Sequence, residues 1–428
     1  MEILFLSDNF PPETNAPASR TFEHCQAWVK AGQRVTVITG APNFPTGTVF
    51  PGYRNRWYAV EYMAGIRVVR VKTYITANER VLKRTFDFLS FMVAGFLAGL
   101  VQRRPDVIIG TSPQFFTVCA AWMLSVCRWR PLVFELRDLW PASIVAVGAI
   151  RADSLAIRLL EKLELFLYRR ATAVVSVTYA FKANLIARGI AGDKIAVVIN
   201  GVDLDRYAPR PRDPELAARY GLEHKFVVGY LGTHGMAHAL HRVLEAAERL
   251  RDRTDVVFLF AGGGAQRAAL MQQAEQQGLL NVRWLSPQPK ELMPRLWSVC
   301  DVALIHLKDD PTFATVIPSK LFECMGMGLP VIMALPEGEA TSIVRQTGMG
   351  VVVPPEQPAQ LAAALVALAA RPDQMETLRQ ASRAAASSFI RAGQAEKMLD
   401  VLDAVAAGTA LPGGQVSAQS STQPIKPS

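Results

Sequence analysis

Short apolar stretches alternate with helical ones along almost the whole chain, and no other feature restricts its fold so strongly. EILFLSD opens the chain, a helix is predicted over Ser19 to Ala31, and RVTVIT follows as a second strand. DVIIG, PLVFEL and ATAVVSV come later, each followed by a helical stretch. After KIAVVINGVD the pattern restarts with KFVVGYLG, a helix over Leu240 to Leu250, and DVVFLFAGGG, then DVALIHL and GLPVIM. Strands that are apolar throughout need cover on both faces, which parallel sheets wrapped by helices provide. The restart near residue 206 predicts two doubly wound parallel-sheet domains, 1–205 and 206–388, in an α/β chain. At 428 residues the chain exceeds what one ordinary core accommodates. The Pro- and charge-rich stretch VDLDRYAPRPRDPEL reads as the connection.

Ligands of open α/β sheets bind beyond the carboxyl ends of the strands, and in a two-domain chain of this type those edges are expected to face each other across a cleft. Two segments interrupt the alternation. Residues 40–65 read as a long Pro/Gly/aromatic loop, and 407–428 as a low-complexity, disordered tail.

The five cysteines form no CxxC pair and no metal-ligand spacing. Met1-Glu2-Ile3 runs straight into a strand pattern, without the basic start or cleavage site of a signal peptide, so a cytoplasmic protein is expected. Residues 1–205 carry 24 Lys/Arg against 16 Asp/Glu, whereas the remainder carries 22 against 21. This asymmetry points to an anionic partner for the first domain, a membrane surface or a phosphorylated substrate, or to a solvated basic surface with no partner. No nucleic-acid-binding motif accompanies it. The apolar segment Phe88 to Val101 is shorter than the ~20 residues of a membrane span. Between Lys83-Arg84 and Arg103-Arg104 it reads as a core helix or as a helix partly inserted into a bilayer surface.

Several strand ends carry residues suited to anions and sugars. In VIPSKLFECMGMGLPVI, Pro318 suits a first helical turn, Gly328 a helix stop, and Lys320 and Glu323 share one face. With Ser319 they form either an anion site or a capped helix bearing a surface ion pair. Gly232-Thr233-His234-Gly235 is a strand-to-helix turn where a diphosphate can rest on amides. His234, His238 and His241 lie close in sequence, but no carboxylate joins them at a metal-ligand spacing. AGGG at 261–264 lacks the dinucleotide fingerprint and reads as a close-approach loop. In the first domain Asn9, Asn15, Ala16 and Arg20 follow the first strand, Ser19 being the expected helix cap. Arg137 and Asp138 follow PLVFEL, as phosphate or sugar ligands or as a structural pair.

DNFPPE, NGVD, the Gly-rich turn of the second half and PSKLFECMGMGLPVI, in this order, resemble the retaining glycosyltransferases of family 4, which have the GT-B fold and use nucleotide-sugar donors. DNFPPETNAPASRTFEH, ELRDLWPASI and IPSKLFECM carry a closer similarity to the branch that adds N-acetylated amino sugars such as L-fucosamine in bacterial surface-polysaccharide (O-antigen) synthesis. The resemblance implies a helix over 389–406 that crosses back to the first domain. It further implies that Glu323 binds the nucleotide ribose and that Lys320 meets the diphosphate together with the amides of Gly232 to Gly235. Arg137, Asp138 and Arg20 are implied to contribute from the first domain. The first Glu of the family's E-x7-E motif is replaced by Thr315, which shifts its contact to the amides of Val316 and Ile317 or removes it. The family's Arg and Lys after the second domain's first strand are absent here. Uracil contacts are implied near Gly263 and Ser286, and acceptor contacts at Asn9, Asn15, Ala16 and Arg20. The implied partners are a UDP-sugar, a polyprenyl-diphosphate-linked sugar acceptor and the inner face of the plasma membrane, with no metal and no cofactor. A nucleotide-sugar 2-epimerase and a noncatalytic partner in polysaccharide assembly remain as alternatives.

Overall fold

The computed structural model describes residues 1–44, 46–76, 81–146, 148, 150–151 and 153–412. Two compact units emerge: Met1–Ile199 together with the segment that begins at Ala392, and Asn200–Arg391. Of the tail expected over 407–428, Ala407 still ends the last helix, and residues from 413 onward lie outside the described ones.

The first unit contains β1 (Glu2–Leu6), β2 (Arg34–Gly40), β3 (Tyr58–Met63), β4 (Ile66–Val71), β5 (Val107–Thr111), β6 (Leu132–Leu136), β7 (Ala173–Ser176) and β8 (Ile195–Val197). They form one sheet in the order β3-β4-β2-β1-β5-β6-β7-β8. Every neighbouring pair is parallel except β3 and β4. That exception corrects the expectation of a loop through 40–65. Ala64 and Gly65 both take positive φ, 50° and 82°, the two-residue turn whose twist suits a hairpin. β3 thus adds an antiparallel edge strand, its alternate residues exposed.

The first helix runs over Ala16–Lys30 rather than from Ser19. Asn15 caps it by accepting the Ala18 amide at 2.9 Å, with Pro17 in the first turn where a missing N–H costs nothing. Ser19 and Arg20 are consequently buried inside the helix instead of opening it.

The last helix, Arg391–Ala407, belongs to the first unit from Ala392 on. Met398, Val401, Leu402 and Val405 repeat at the 3–4 residue spacing of one helix face and join the same core as Ile3, Phe5, Trp28 and Val107. The Trp28 indole donates to the Ala395 carbonyl at 2.9 Å, which satisfies the one polar atom of a fully buried ring.

The second unit holds β9 (Phe226–Leu231), β10 (Val256–Ala261), β11 (Val282–Leu285), β12 (Val302–His306), β13 (Val331–Ala334) and β14 (Gly350–Val353). All run parallel in the order β11-β10-β9-β12-β13-β14. The chain changes unit at 199/200, not at 205/206. The reason is a short parallel bridge of Val202 with Ile390. The Val202 amide donates to Phe389 O and the Arg391 amide to Val202 O, both at 2.8 Å. Gly201 is needed there because a Cβ would lie 2.6 Å from the Phe389 carbonyl oxygen.

Leu402→Ala removes a fully buried side chain from the first unit's core. Urea denaturation is expected to show a loss of about 2–5 kcal/mol, with the far-UV spectrum of the native protein unchanged.

Candidate functional site

In the second unit Gly232 to Gly235, Gly263, Ser286 and the Lys320 amine gather at the carboxyl ends of β9, β10 and β11. Gly232 follows β9 with φ +152° and its amide donates to Ala261 O at 2.8 Å. The neighbouring AGGG loop lies so close that a Cβ on Gly262 would sit 1.9 Å from Gly232 O, and one on Gly264 2.5 Å from His234 O. The His234 amide donates to Gly263 O at 2.8 Å, and the Gln266 amide to His234 O at 2.9 Å. The glycines after β10 thus serve backbone-to-backbone packing of two loops. Gly263 abuts Pro287, next to the exposed Ser286, whose hydroxyl accepts from the Gln288 side chain at 3.2 Å. Thr233 is exposed, its carbonyl accepting the Tyr230 hydroxyl at 2.7 Å, and the Gly235 carbonyl accepts the His238 amide at 3.1 Å.

Lys320 is the first residue of the helix Lys320–Met327 and reaches into this loop cluster. Its Nζ is buried without a hydrogen-bond partner and stands 3.9 Å from the centre of the Tyr230 ring. A Cβ on Gly232 would come within 2.9 Å of that nitrogen. Burial pulls the amine down to about 8, against the opposing pull of the Glu323 carboxylate. A cation–π contact offsets part of the lost hydration but offers no acceptor to the three N–H groups. An ammonium so placed has unspent hydrogen-bonding capacity for an anion. Ser319 makes no side-chain cap bond to the helix.

Glu323 is half-buried and accepts the Trp297 indole N–H at 3.1 Å. Its charge, second to burial, raises the Tyr207 phenol far above its ordinary range. Thr315 and its neighbours are engaged locally: the Thr315 hydroxyl donates to Thr312 O at 2.7 Å and the Val316 amide to Phe313 O at 3.3 Å. The Val316 amide, expected as a substitute contact, is therefore already bonded. Ile317 is buried.

The three histidines do not converge on a metal. His234 is fully buried within ring-contact distance of Tyr230, Phe260 and Trp284. Burial, with help from Arg267 and Lys320, lowers it to about 4, so it is a neutral imidazole. His238 faces a different partner, His306: each ring Nδ1 lies by the other's carbonyl, at 3.3 and 2.8 Å. Among the described residues no group of three or more His, Cys, Asp or Glu is placed to hold a metal ion.

Arg267 is the residue the sequence reading missed. It begins the helix Arg267–Gln276, its Nε is buried without a partner, and its charge reaches His234. A cation in a first helical turn works against the helix dipole. Its place right after the Gly-rich loop was the available signal.

In the first unit the carboxyl ends of β1 and β6 carry the expected residues, with one clear correction. Arg20 is buried at 3% exposure, pairs with Glu135 at 2.9 Å, and donates to Ile199 O and Val198 O at 2.9 Å each. It is a structural strut tying the first helix to β6 and to the chain beyond β8, not a surface ligand for acceptor or diphosphate. Burial pushes Glu135 up, but the charges of Arg20 and Arg137 outweigh it and hold the carboxyl below its ordinary range. Arg137 donates to Pro17 O and Ala16 O at 3.1 Å each, which fastens the first turn of the first helix. Ala16 itself opens that helix. Asp138 is raised by burial and opposed by hydrogen bonds from the Ser143 hydroxyl and the Leu139 amide, which tie it to the short helix Ala142–Ala146. The Asn15 amide donates to Asn9, and Asn9 to Asp8. Burial, followed by the charges of Asp87 and Glu13, lifts Asp8 to about 8, which makes it a protonated acid at neutral pH.

Comparison with known proteins bears on the fold and on the class of activity. Residues 15–201 match the family described as glycosyl transferase 4-like domain, and residues 225–371 that described as glycosyl transferases group 1. A protein of Escherichia coli K12 with the provisional name colanic acid biosynthesis glycosyl transferase WcaI is 27% identical over 336 residues, 77% of this chain and 82% of the relative. Sucrose-phosphate synthase from Thermosynechococcus elongatus superposes with a TM-score of 0.77 at 17% identity, covering 95% of this chain and 100% of that one. Anabaena HepE in complex with UDP-glucose gives 0.70 at 19% identity, covering 94% and 100%. At these identities the solved structures speak for the fold.

Arg20→Ala leaves Glu135 buried beside an empty space. Chemical denaturation is expected to show a loss of about 3–5 kcal/mol, and the double replacement Arg20→Met with Glu135→Leu to recover most of it. An Arg20→Ala protein of wild-type stability would refute the strut.

Proposed function

We propose that this chain, whose residues 15–201 and 225–371 match glycosyl transferase families, is a retaining family 4 glycosyltransferase with the donor, acceptor and stereochemical course that follow. The donor is a UDP-sugar bearing an N-acetylated amino sugar of the L-fucosamine type. The acceptor is a polyprenyl-diphosphate-linked sugar, and the product a precursor of bacterial surface polysaccharide. Support for the polysaccharide setting comes from the name of the Escherichia coli relative, and for UDP from the HepE complex.

The observation that carries the reading is the buried, unpartnered Lys320 ammonium at the Gly232 turn. Departure of a nucleoside diphosphate builds negative charge on phosphate oxygen, and a fixed cation in a dry site stabilises that charge more than water does. Arg267, with its own unpartnered Nε at the same loop cluster, takes the place of the family's missing cations. Glu323, steadied by Trp297, is assigned to the ribose hydroxyls, since a carboxylate accepts two O–H groups at once. Ser286 and Gly263 are assigned to the uracil side, with Ser319, Thr233 and Gly235 bordering the diphosphate. The sugar leaves through an oxocarbenium-like state and the acceptor hydroxyl attacks the same face, giving its proton to the departing phosphate. No metal is needed in this scheme, because the amines and amides meet the charge. In the first unit Asn9 and Asn15, joined to the protonated Asp8, are assigned to the acceptor's hydroxyls, and Arg137 with Asp138 to the shape of that loop.

The membrane is assigned to one face of the helix Val81–Leu100. Phe86, Val93, Leu97 and the following Val101 are 65%, 52%, 56% and 72% exposed at helical spacing, whereas Phe91 on the other side is fully buried. One segment therefore supplies both a core face and an exposed apolar stripe, set between basic residues suited to anionic headgroups. No described helix is long and apolar enough to cross a membrane.

Lys320→Ala is expected to lower UDP affinity by about 10- to 100-fold in calorimetry. Because the free amine is lowered to about 8, UDP affinity falls as the pH rises past that value, and Lys320→Arg, charged throughout, removes the decline. A UDP affinity independent of pH across this window contradicts the assignment. A donor screen that reads UDP release identifies the sugar, and ¹H NMR of the product shows whether the anomeric configuration is retained. Val93→Asp with Leu97→Asp reduces co-sedimentation with anionic vesicles, and unchanged partitioning rules the membrane face out.

A further inference from the structure

A cavity of the second unit lies away from the loop cluster just described. It encloses about 200 Å³ at the amino ends of β12 and β13, between the chain around Arg210 and the helix Pro372–Ala386. Its chemistry is dominated by four arginines, Arg210, Arg212, Arg379 and Arg383, around one carboxylate, Asp301.

The four guanidiniums are not equivalent. Arg212 is committed to structure: it pairs with Asp301 at 2.5 Å and donates to Leu222 O at 2.9 Å. The same carboxylate accepts the Val227 amide at 2.8 Å, so Asp301 is largely consumed in holding Arg212 and the start of β9. Arg379 makes only long contacts, 3.8 Å to Asp301 and 3.7 Å to Glu376. Arg210 and Arg383 have no hydrogen bond and no ion pair among the described residues, and both are exposed. The positive charge in the lining therefore exceeds what Asp301 offsets.

The framework that holds these side chains is stiff. The Ser382 hydroxyl donates to Cys324 O and Leu329 O, at 3.2 and 3.1 Å, which ties the Pro372–Ala386 helix to the end of Lys320–Met327. Gly328 ends the latter helix with φ +63°, and a Cβ there would lie 2.6 Å from Arg383 Cγ. The stem of Arg383 is thus pressed against a glycine that leaves room for it. Several guanidiniums held near one hollow repel one another, an arrangement that an oxyanion relieves by accepting from more than one fork.

We propose that this cavity binds a small phosphate-class oxyanion, with inorganic pyrophosphate as the probe. The volume is several times the ~30 Å³ share of a water molecule in the liquid but below the ~300–1,000 Å³ of drug-sized sites. It suits phosphate or pyrophosphate. The site is separate from the one assigned to the donor, and one residue is common to both surroundings: Trp297 lines the cavity and donates to Glu323.

The test is calorimetric titration of sodium pyrophosphate into the full chain carrying Lys320→Ala, which removes the cation expected to hold a diphosphate elsewhere. Matched sodium chloride serves as the control for ionic strength. Saturable binding is expected, weakened at least about tenfold when Arg210→Gln and Arg383→Gln are added, since a charge-assisted contact accounts for roughly that factor. Both arginines are exposed and unpartnered, so the thermal midpoint without ligand should not move, and measuring it shows that the variant is folded. Absence of binding, binding that the arginine replacements leave intact, or binding abolished by matched chloride each overturns the proposal.

Discussion

An ammonium held out of water with nothing to donate to is the constraint around which the second unit's loop cluster is organised. Lys320 sits against the Tyr230 ring, beneath a turn whose Gly232 admits no side chain. The AGGG loop closes on that turn through backbone contacts that also admit no Cβ. His234 lines the same wall as a neutral ring, because burial disfavours its charged form and the charges of Arg267 and Lys320 add to that. These features follow from a single requirement: positive charge must be kept concentrated and poorly hydrated at the carboxyl edge of a parallel sheet.

The first unit solves the opposite problem. There the buried cation, Arg20, is fully compensated by Glu135 and two carbonyls, and it serves to connect a helix, a strand and the exit of the chain. Both units are built on parallel strands, with the antiparallel β3 at one edge of the first, and carry polar residues at the carboxyl edges. They differ in whether the buried charge is satisfied, and that difference separates a strut from a binding group more sharply than residue type does. The commitment of Arg137 to the Ala16 and Pro17 carbonyls belongs with the strut.

Much of this was legible in the order of residues. Parallel strands buried on both faces announce themselves as apolar runs, and β1, β2, β5, β6, β7, β9, β10, β12 and β13 lie where those runs are. The hairpin of β3 and β4 escaped notice because an edge strand with one exposed face lacks such a run and its turn is Ala-Gly rather than Asn-Gly. The first helix was read three residues late, since both Asn15 and Ser19 are good caps and only packing chooses between them. Arg20 was read as a ligand because a basic residue after a strand is ambiguous until Glu135, distant in sequence, is found beside it.

The sequence by itself determined the two-sheet architecture and the positions of Lys320 and Glu323 on one helix, because periodicity and motif order are local or strictly ordered properties. The tertiary structure decided which charges are spent and which are free. Compensation depends on groups more than a hundred residues apart in the case of Arg20 and Glu135, and on ring faces and carbonyls that carry no sequence signature in the case of Lys320. Desolvation is a property of the folded surroundings, and no single position encodes it.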